Sequence, residues 1–110
     1  DAFRLASISF AYASAKPAKK QDIVFENIVN YLKQNPSARI RLDGYADKAT
    51  GGERTNLMLS IRRTDSVRNI LIERYGIAPS RIDAQGIGSN VQPYEENSLN
   101  RVVIVTALPE

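Results

Sequence analysis

Four polar residues near the middle of the sequence are spaced so that they could bind one small zwitterion. Asp47 follows a strand-like run, and Asn56, Ser60 and Arg63 come after it at positions i, i+4 and i+7. Because residues with these spacings share one face of an α-helix, the last three are expected to point the same way. The carboxylate of Asp47 would then bind an ammonium group, and the guanidinium of Arg63 would bind a carboxylate.

Each of these residues also has an ordinary structural interpretation. Asp47 could accept hydrogen bonds from loop amides in a turn, and Arg63 could be an exposed helix arginine or a plain ion-pair partner of Asp47. Asn56 could cap the helix or brace the preceding loop, and Ser60 is more typical of a packing residue. Arg62 points about 100° away from Arg63 around a helix and is expected to be solvated.

Composition excludes several kinds of chemistry. The 110 residues include no His and no Cys, which excludes ordinary zinc sites, Ser-His-Asp triads and cysteine nucleophiles. Asp43 and Asp47 would lie roughly 13 Å apart along a strand, too far for either glycosidase geometry. We therefore expect a domain that is not an enzyme and that uses no cofactor or metal.

The positive charge of the chain is spread along the sequence. Fifteen basic and twelve acidic residues give a formal net charge of +3, and one tight basic cluster, Lys16, Lys19 and Lys20, lies in a Pro-containing segment. Such a cluster is more typical of a solvated loop than of a phosphate-binding footprint. We expect no nucleic-acid partner.

Hydrophobic periodicity predicts the elements that position these residues, in the order β-α-β-α-β-β. The predicted strands cover residues 5–12, 38–45, 81–85 and 101–106, and the predicted helices cover residues 21–34 and 53–75. Gly76 suits the end of the second helix. The order predicts one α/β domain of two layers (α+β), a mixed sheet with the helices packed on one face.

Two patterns predict which side chains are buried. In the second strand, polar and apolar residues alternate, so one face is expected to be exposed to solvent. The residues expected to point towards the core are Ala38, Ile40, Leu42 and Gly44. The apolar surface of the second helix is expected to come from Leu57, Ile61, Val67, Ile70 and Leu71. Ligands of α/β sheets lie beyond the carboxyl ends of strands, and Asp47 follows such an end.

The residues around Asp47 and Arg63 also carry a family resemblance. The matching segments are residues 42–47 (LDGYAD), 56–63 (NLMLSIRR), 86–88 (GIG) and 100–104 (NRVVI). Together they resemble the OmpA-like (OmpA/Pal/MotB C-terminal) peptidoglycan-binding domain, and the resemblance extends over residues 8–105. Residues 1–110 are therefore expected to be a single OmpA-like domain, a fragment of a larger envelope protein.

The resemblance implies a periplasmic, outer-membrane-associated domain that binds the diaminopimelate of the peptidoglycan stem peptide. It implies that Asp47 binds the ammonium of that residue and Arg63 its carboxylate, with Asn56 and Arg101 lining the site. It further implies that backbone groups after the first strand border the site, here those of Ala11 and Tyr12.

Several positions depart from the family pattern. Ala46, which is among the expected ligand-binding positions, replaces the usual Thr, so a hydroxyl contact is lost there. Thr64 replaces the Ala after the key arginine, and Val102 replaces the second Arg of the last motif. Because none of these departures changes Asp47 or Arg63, they bear on affinity rather than on the class of ligand.

Two rival functions use other features of the sequence. A family member that has lost wall binding would act as a protein-interaction module, and the departures above keep that alternative open. An RNA-binding sheet needs aromatic residues on its open face, where Tyr45 is the only clear one. The first residues, beginning at Asp1, lack signal-peptide features, so we expect any export signal or membrane anchor to lie outside this chain.

Overall fold

The computed structural model describes residues 1–49 and 51–110. Within them the elements follow the predicted order. They are β1 (Phe3–Ser9), α1 (Asp22–Gln34), β2 (Ile40–Tyr45), α2 (Glu53–Glu73), β3 (Ile82–Gly88) and β4 (Val102–Ala107), with short 3-10 turns at Pro79–Arg81 and Asn97–Asn100. In the described part of the chain no helix is both long and apolar enough to cross a membrane.

The sheet is mixed, as predicted, with the strand order β1-β4-β2-β3. β2 is parallel to β3, whereas β4 is antiparallel to both β1 and β2. Paired residues such as Leu42 and Val105, or Ile8 and Val103, point to the same face, and all four are buried. They form one core with apolar residues of the helices, namely Phe25, Ile28, Val29, Leu32, Val67 and Leu71. The two-layer architecture is therefore confirmed.

Two strands end three residues from their predicted boundaries: β3 continues to Gly88, and β1 stops early. It ends at Ser9 rather than continuing to Tyr12, and Phe10 forms an isolated antiparallel bridge with Pro17. The chain then turns, with Ala13 in a left-handed conformation at φ 54°. This turn directs backbone carbonyl groups towards α2, which a continued strand would have paired within the sheet.

The face of the sheet that points away from the helices is less exposed to solvent than predicted. Val102 and Ile104 are 4% and 7% exposed, although their neighbours Val103 and Val105 fill the core on the other face. Asp43 is also buried, and its carboxylate is compensated by hydrogen bonds from Arg41 Nε at 2.9 Å and from Gln85 Nε2 at 2.7 Å.

α2 buries a polar stripe along its N-terminal half. Asn56, Ser60 and Arg63 are each completely buried, whereas Leu57 is 42% exposed. The prediction that Leu57 contributes to the apolar face was wrong, because it lies about 100° round the helix from the buried Asn56. Further along, Val67 and Leu71 enter the core as expected. The helix ends at Glu73, two residues before the predicted end at Tyr75, and Gly76 in the turn beyond it has a left-handed φ of 70°.

Two glycines allow the polar stripe of α2 to lie directly against the sheet. Gly44 on β2 and Gly86 on β3 are register partners. A Cβ atom at Gly44 would overlap the carbonyl oxygen of Ser60, and one at Gly86 would lie 2.7 Å from the backbone nitrogen of Ile61. Both glycines therefore serve close packing of helix and sheet, which accounts structurally for part of the Gly86-Ile87-Gly88 motif.

Candidate functional site

The topology brings the predicted site residues to one end of the sheet. Because β1, β2 and β3 run in one direction and β4 in the other, the ends of the first three lie beside the start of β4. Asp47 follows β2, Arg101 precedes β4, and Ala11 and Tyr12 follow β1. α2 begins at the same end and contributes its buried polar residues Asn56, Ser60 and Arg63.

Asp47 forms a short ion pair with Arg101. The carboxylate is completely buried, and its Oδ2 atom accepts a hydrogen bond from Arg101 Nε at 2.6 Å. The Arg101 side chain is 24% exposed, and its Cζ atom lies 5.3 Å from the centre of the Tyr12 ring. The Tyr12 hydroxyl in turn lies 3.5 Å from the carbonyl oxygen of Ala49. The buried carboxylate is thus covered by a cation and an aromatic ring.

Arg63 is held by backbone carbonyl groups from separate segments. Its Nε donates to Ser14 at 2.8 Å, Nη1 donates to Tyr45 at 2.8 Å, and Nη2 donates to Ala11 at 3.2 Å. The guanidinium also lies over the Phe10 ring, 5.2 Å from its centre. The interpretation of Arg63 as an exposed helix arginine was therefore wrong, whereas Arg62 is exposed as predicted.

Burial lowers the pKa of Arg63 to about 10. The negative charge of Asp47 acts in the opposite direction and raises this pKa, while the positive charge of Arg101 lowers it further. The charge of Asp47 therefore acts on both arginines, and the Arg63 guanidinium remains protonated at neutral pH. The site is a buried anion with two cations around it.

Asn56 braces the loop that precedes α2, as one of its interpretations expected. Its Nδ2 donates to the carbonyl oxygen of Gly51 at 3.0 Å and to the hydroxyl of Ser89 at 2.9 Å. Among the described residues its Oδ1 atom has no hydrogen-bond partner. The side chain therefore links the α2 N-terminus to the segment after β3 and retains an acceptor inside the site.

Ser60 and Ala46 connect the segments that surround the site through hydrogen bonds. The Ser60 hydroxyl donates to the carbonyl oxygen of Leu57 at 2.7 Å and accepts from Gly88 N at 2.9 Å. Ala46 is completely buried; its amide donates to the Gly88 carbonyl oxygen, and its own carbonyl accepts from Gln92 Nε2, both at 3.0 Å. These contacts join the ends of β2 and β3 to α2 and to the following loop.

Several residues that shape the site were not singled out from the sequence. Ser14 and Tyr45 contribute through their carbonyl oxygens, and Ser89 and Gln92 through hydrogen bonds to Asn56 and Ala46. Asn100, which precedes Arg101, accepts from Tyr94 N at 2.9 Å and donates to Gln92 and Tyr94. Asn100 was already part of the motif at residues 100–104, whereas the carbonyl groups of Ser14 and Tyr45 leave no signal in side-chain type.

The surface beside the site carries two clefts on either side of Lys48. One, of about 390 Å³, is lined by Lys48, Gln92, Pro93, Tyr94, Glu95, Asn97 and Asn100. The other, of about 400 Å³, is lined by Lys48, Gly51, Gly52, Glu53, Ser89 and Asn90. Both include residues that brace the buried cluster, so both clefts adjoin the site. Among the described residues, no group of acids is placed to hold a metal ion.

Comparison with known proteins relates the chain to bacterial envelope proteins. A family model described as the OmpA family matches residues 9–103. Outer membrane protein 40 of Porphyromonas gingivalis is 42% identical over 100 residues, which cover 91% of this chain and 26% of that protein. The peptidoglycan-binding protein ArfA of Mycobacterium bovis is 36% identical over 86 residues, or 78% of this chain and 25% of that protein.

The fold is shared with solved structures of low sequence identity. The peptidoglycan-associated lipoprotein of Burkholderia pseudomallei superposes with a TM-score of 0.84 at 22% identity, covering 94% of this chain and 90% of that one. By contrast, the chain spans about a quarter of the length of the two curated relatives above.

Proposed function

Because the chain belongs to the OmpA family, we propose that it binds peptidoglycan without catalysis and anchors an outer-membrane or envelope protein to the cell wall. The relative that is named as a peptidoglycan-binding protein supports this assignment. The observation that carries it is the completely buried carboxylate of Asp47 with the guanidinium groups of Arg101 and Arg63 acting on it. We place the domain in the periplasm.

The ligand we propose is the free amino-acid end of diaminopimelate in the stem peptide. Its ammonium group would bind Asp47, and the guanidinium groups of Arg63 and Arg101 would supply positive charge for its carboxylate. Asn56 lines this space with its remaining acceptor, and Ala46, Ala11 and Tyr12 border it. A carboxylate held with an ammonium group at one carbon matches this arrangement of charges.

The affinity of one such site is expected to be modest. Two charge-assisted contacts contribute about 1.5–3 kcal/mol each, and together with a few backbone hydrogen bonds they lead us to expect a Kd of roughly 10–1000 μM. Peptidoglycan is a polymer, so many tethered copies of the domain would be retained by avidity. Weak single sites therefore suffice for anchoring.

Replacing Asp47 with asparagine tests the proposal directly. We expect the fraction that co-sediments with purified diaminopimelate-type sacculi to fall about tenfold, because the neutral amide cannot form an ion pair with an ammonium group. The matched control is Asp83→Asn, since Asp83 also pairs with an arginine at 2.6 Å, but at an exposed position on β3. Equal co-sedimentation of all three proteins would refute the proposed site. Absence of binding by the unmodified chain would favour the protein-interaction alternative.

Wall binding is expected to change little with pH between about 6 and about 8.5. The chain contains no His, and the lowered pKa of Arg63, about 10, still lies above this range. A base stays protonated below its pKa, so the cation is present throughout. Co-sedimentation at several pH values and constant ionic strength measures this. A steep loss of binding across the range would show that another titrating group controls it.

A further inference from the structure

A cleft of about 550 Å³ lies between the segment that follows β1 and the middle of α2. Its volume is within the range of ligand pockets, about 300–1,000 Å³. Residues 14–22 form one wall, and α2 forms the other with residues at intervals of four, namely Ser66, Ile70 and Arg74. Ser14 is the one residue that it shares with the site around Asp47. It is therefore a separate surface, called the lysine cleft below.

The charged residues that line the lysine cleft are mainly basic. They are four basic residues and one acid, namely Lys16, Lys19, Lys20, Arg74 and Asp22. Their formal net charge of +3 equals that of the whole chain. Arg74 Nη1 lies 3.9 Å from Asp22 Oδ1, and because both side chains are largely exposed this contact is weak. Among the described residues, no carboxylate forms an ion pair with any of the three lysines. The cleft therefore carries positive charge that is available to a ligand.

The segment that carries the lysines is fastened to the end of β1. The Gln21 side chain accepts from Ser9 N at 2.7 Å and donates to the carbonyl oxygens of Ser9 and Ala18 at 3.0 and 2.9 Å. Ala18 N donates to the same Ser9 oxygen, and Phe10 forms its isolated bridge with Pro17. The interpretation of this cluster as a solvated loop therefore describes the exposed side chains but not the backbone, which is held in place.

The apolar residues that line the lysine cleft are less exposed than its cations. They are Phe25, which is 3% exposed, and the partly exposed Ala15, Pro17, Ala18 and Ile70. The three lysines and Arg74 are exposed. Cations thus surround an apolar interior, and a ligand that matches both features carries negative charges around an apolar group.

We propose that the lysine cleft binds a short acidic segment of a partner protein, in which carboxylates lie on both sides of an apolar side chain. The apolar side chain enters the cleft beside Ile70, and the carboxylates pair with the lysines and with Arg74. Contacts between exposed charges are individually weak, so we expect a Kd of roughly 10–500 μM. Because the cleft and the site around Asp47 are separate, one domain can bind the wall and an acidic partner at the same time.

Two other kinds of anionic partner match these observations less well. Nucleic-acid bases stack on exposed aromatic rings, whereas Phe25, the aromatic residue of the cleft, is 3% exposed. A bilayer surface is flat and would contact the exposed lysines without reaching the apolar interior. An acidic peptide uses the charge and the apolar interior together.

The probe is a fluorescein-labelled peptide of sequence GELEELEG, titrated with the 110-residue chain and followed by fluorescence anisotropy. Two matched peptides test its two parts, since GQLQQLQG lacks the carboxylates and GESEESEG lacks the apolar side chains. We expect each of them to bind about fivefold more weakly or worse. Raising the salt concentration from about 0.05 M to about 0.5 M should weaken GELEELEG binding by about tenfold, because the pairs are exposed.

A triple substitution tests the basic wall. Lys16→Gln, Lys19→Gln and Lys20→Gln together should weaken GELEELEG binding by about tenfold or more. The matched control removes three exposed cations from elsewhere on the chain, by Lys33→Gln, Arg39→Gln and Arg54→Gln. It should change the Kd by less than about twofold. Both variants have the same formal net charge, so the comparison separates the cleft from the overall charge of the domain.

Amide chemical shifts of the isotope-labelled, unmodified chain locate the peptide without any substitution. GELEELEG should shift the amides of residues 14–22 and of Ser66, Ile70 and Arg74, and should leave those of Asp47 and Arg101 unchanged. Shifts confined to another surface would overturn the proposal, as would equal losses in the two triple variants. Equal binding of either matched peptide, or no binding of GELEELEG at about 1 mM chain, would also overturn it.

The same assay distinguishes the other anionic partners. A single-stranded oligonucleotide and vesicles containing anionic phospholipid are titrated beside GELEELEG, and we expect both to bind more weakly than the peptide. Tighter binding of either one, lost in the variant without the three lysines, would assign the cleft to that partner and overturn the proposal of an acidic peptide. None of these results bears on wall binding, which Asp47→Asn tests separately.

Discussion

Arg63→Ala is expected to lower the free energy of unfolding by about 3–5 kcal/mol. The change removes a completely buried guanidinium that donates to the carbonyl groups of Ser14, Tyr45 and Ala11. It leaves these acceptors without a donor and deprives Asp47 of a nearby positive charge. Since domains of this size are stable by about 5–15 kcal/mol, the loss is a large part of the total. Urea denaturation followed by circular dichroism measures it.

The neighbouring Arg62 provides the control for this effect. It lies on the same helix and is exposed, so Arg62→Ala should change stability by less than about 0.5 kcal/mol. Arg63→Lys should fall between the two, because an ammonium group keeps the charge but cannot reproduce the planar set of donors. A loss below about 1 kcal/mol for Arg63→Ala would contradict the contribution to stability expected from its three hydrogen bonds to carbonyl groups.

Gly44→Ala is expected to destabilise the fold by about 3 kcal/mol. The added Cβ atom would overlap the Ser60 carbonyl oxygen and would lie 2.7 Å from Thr64 Cγ2. A backbone oxygen inside a helix cannot rotate away, so α2 must shift as a whole from the sheet. The shift would also displace Asn56 and Arg63. Thermal unfolding, read together with sacculus binding, measures both consequences.

Gly52, the N-cap residue of α2, provides the matched control for Gly44. A Cβ atom there would meet nothing within 4 Å, and its φ of −75° suits any residue. Gly52→Ala should therefore lower stability by no more than about 1 kcal/mol, mainly through a weaker helix N-cap. Similar losses for the two variants would show that close packing of α2 is not what requires glycine at position 44.

The helix α2 shows where sequence rules and structure diverge. An amphipathic pattern predicts that apolar residues face the core, yet the N-terminal half of α2 buries Asn56, Ser60 and Arg63 and exposes Leu57. Local rules are broken most often where a protein builds a functional site, since the polar groups are required there and are stabilised by specific partners. The motif containing these residues was therefore a better guide to this half of α2 than its hydrophobicity.

The sequence by itself determined the elements, their order and the group of residues that meet at one end of the sheet. Alternation and helical spacing are local properties, and the left-handed turn after α2 depends on the single residue Gly76. The short motifs contain Asp47, Arg63 and Arg101, which meet because Asp47 follows β2, Arg101 precedes the neighbouring β4, and Arg63 lies on α2, which begins at the same end of the sheet.

The tertiary structure alone decided which charges are paired and which are enclosed. Asp47 pairs with Arg101, 54 positions away, because antiparallel β4 begins beside the end of β2. Arg63 is enclosed because the turn after β1 directs the Ala11 and Ser14 carbonyls towards it. Backbone carbonyl groups are present at every position and leave no mark in a pattern of side chains. Their direction is set by how distant segments pack, which local spacing does not encode.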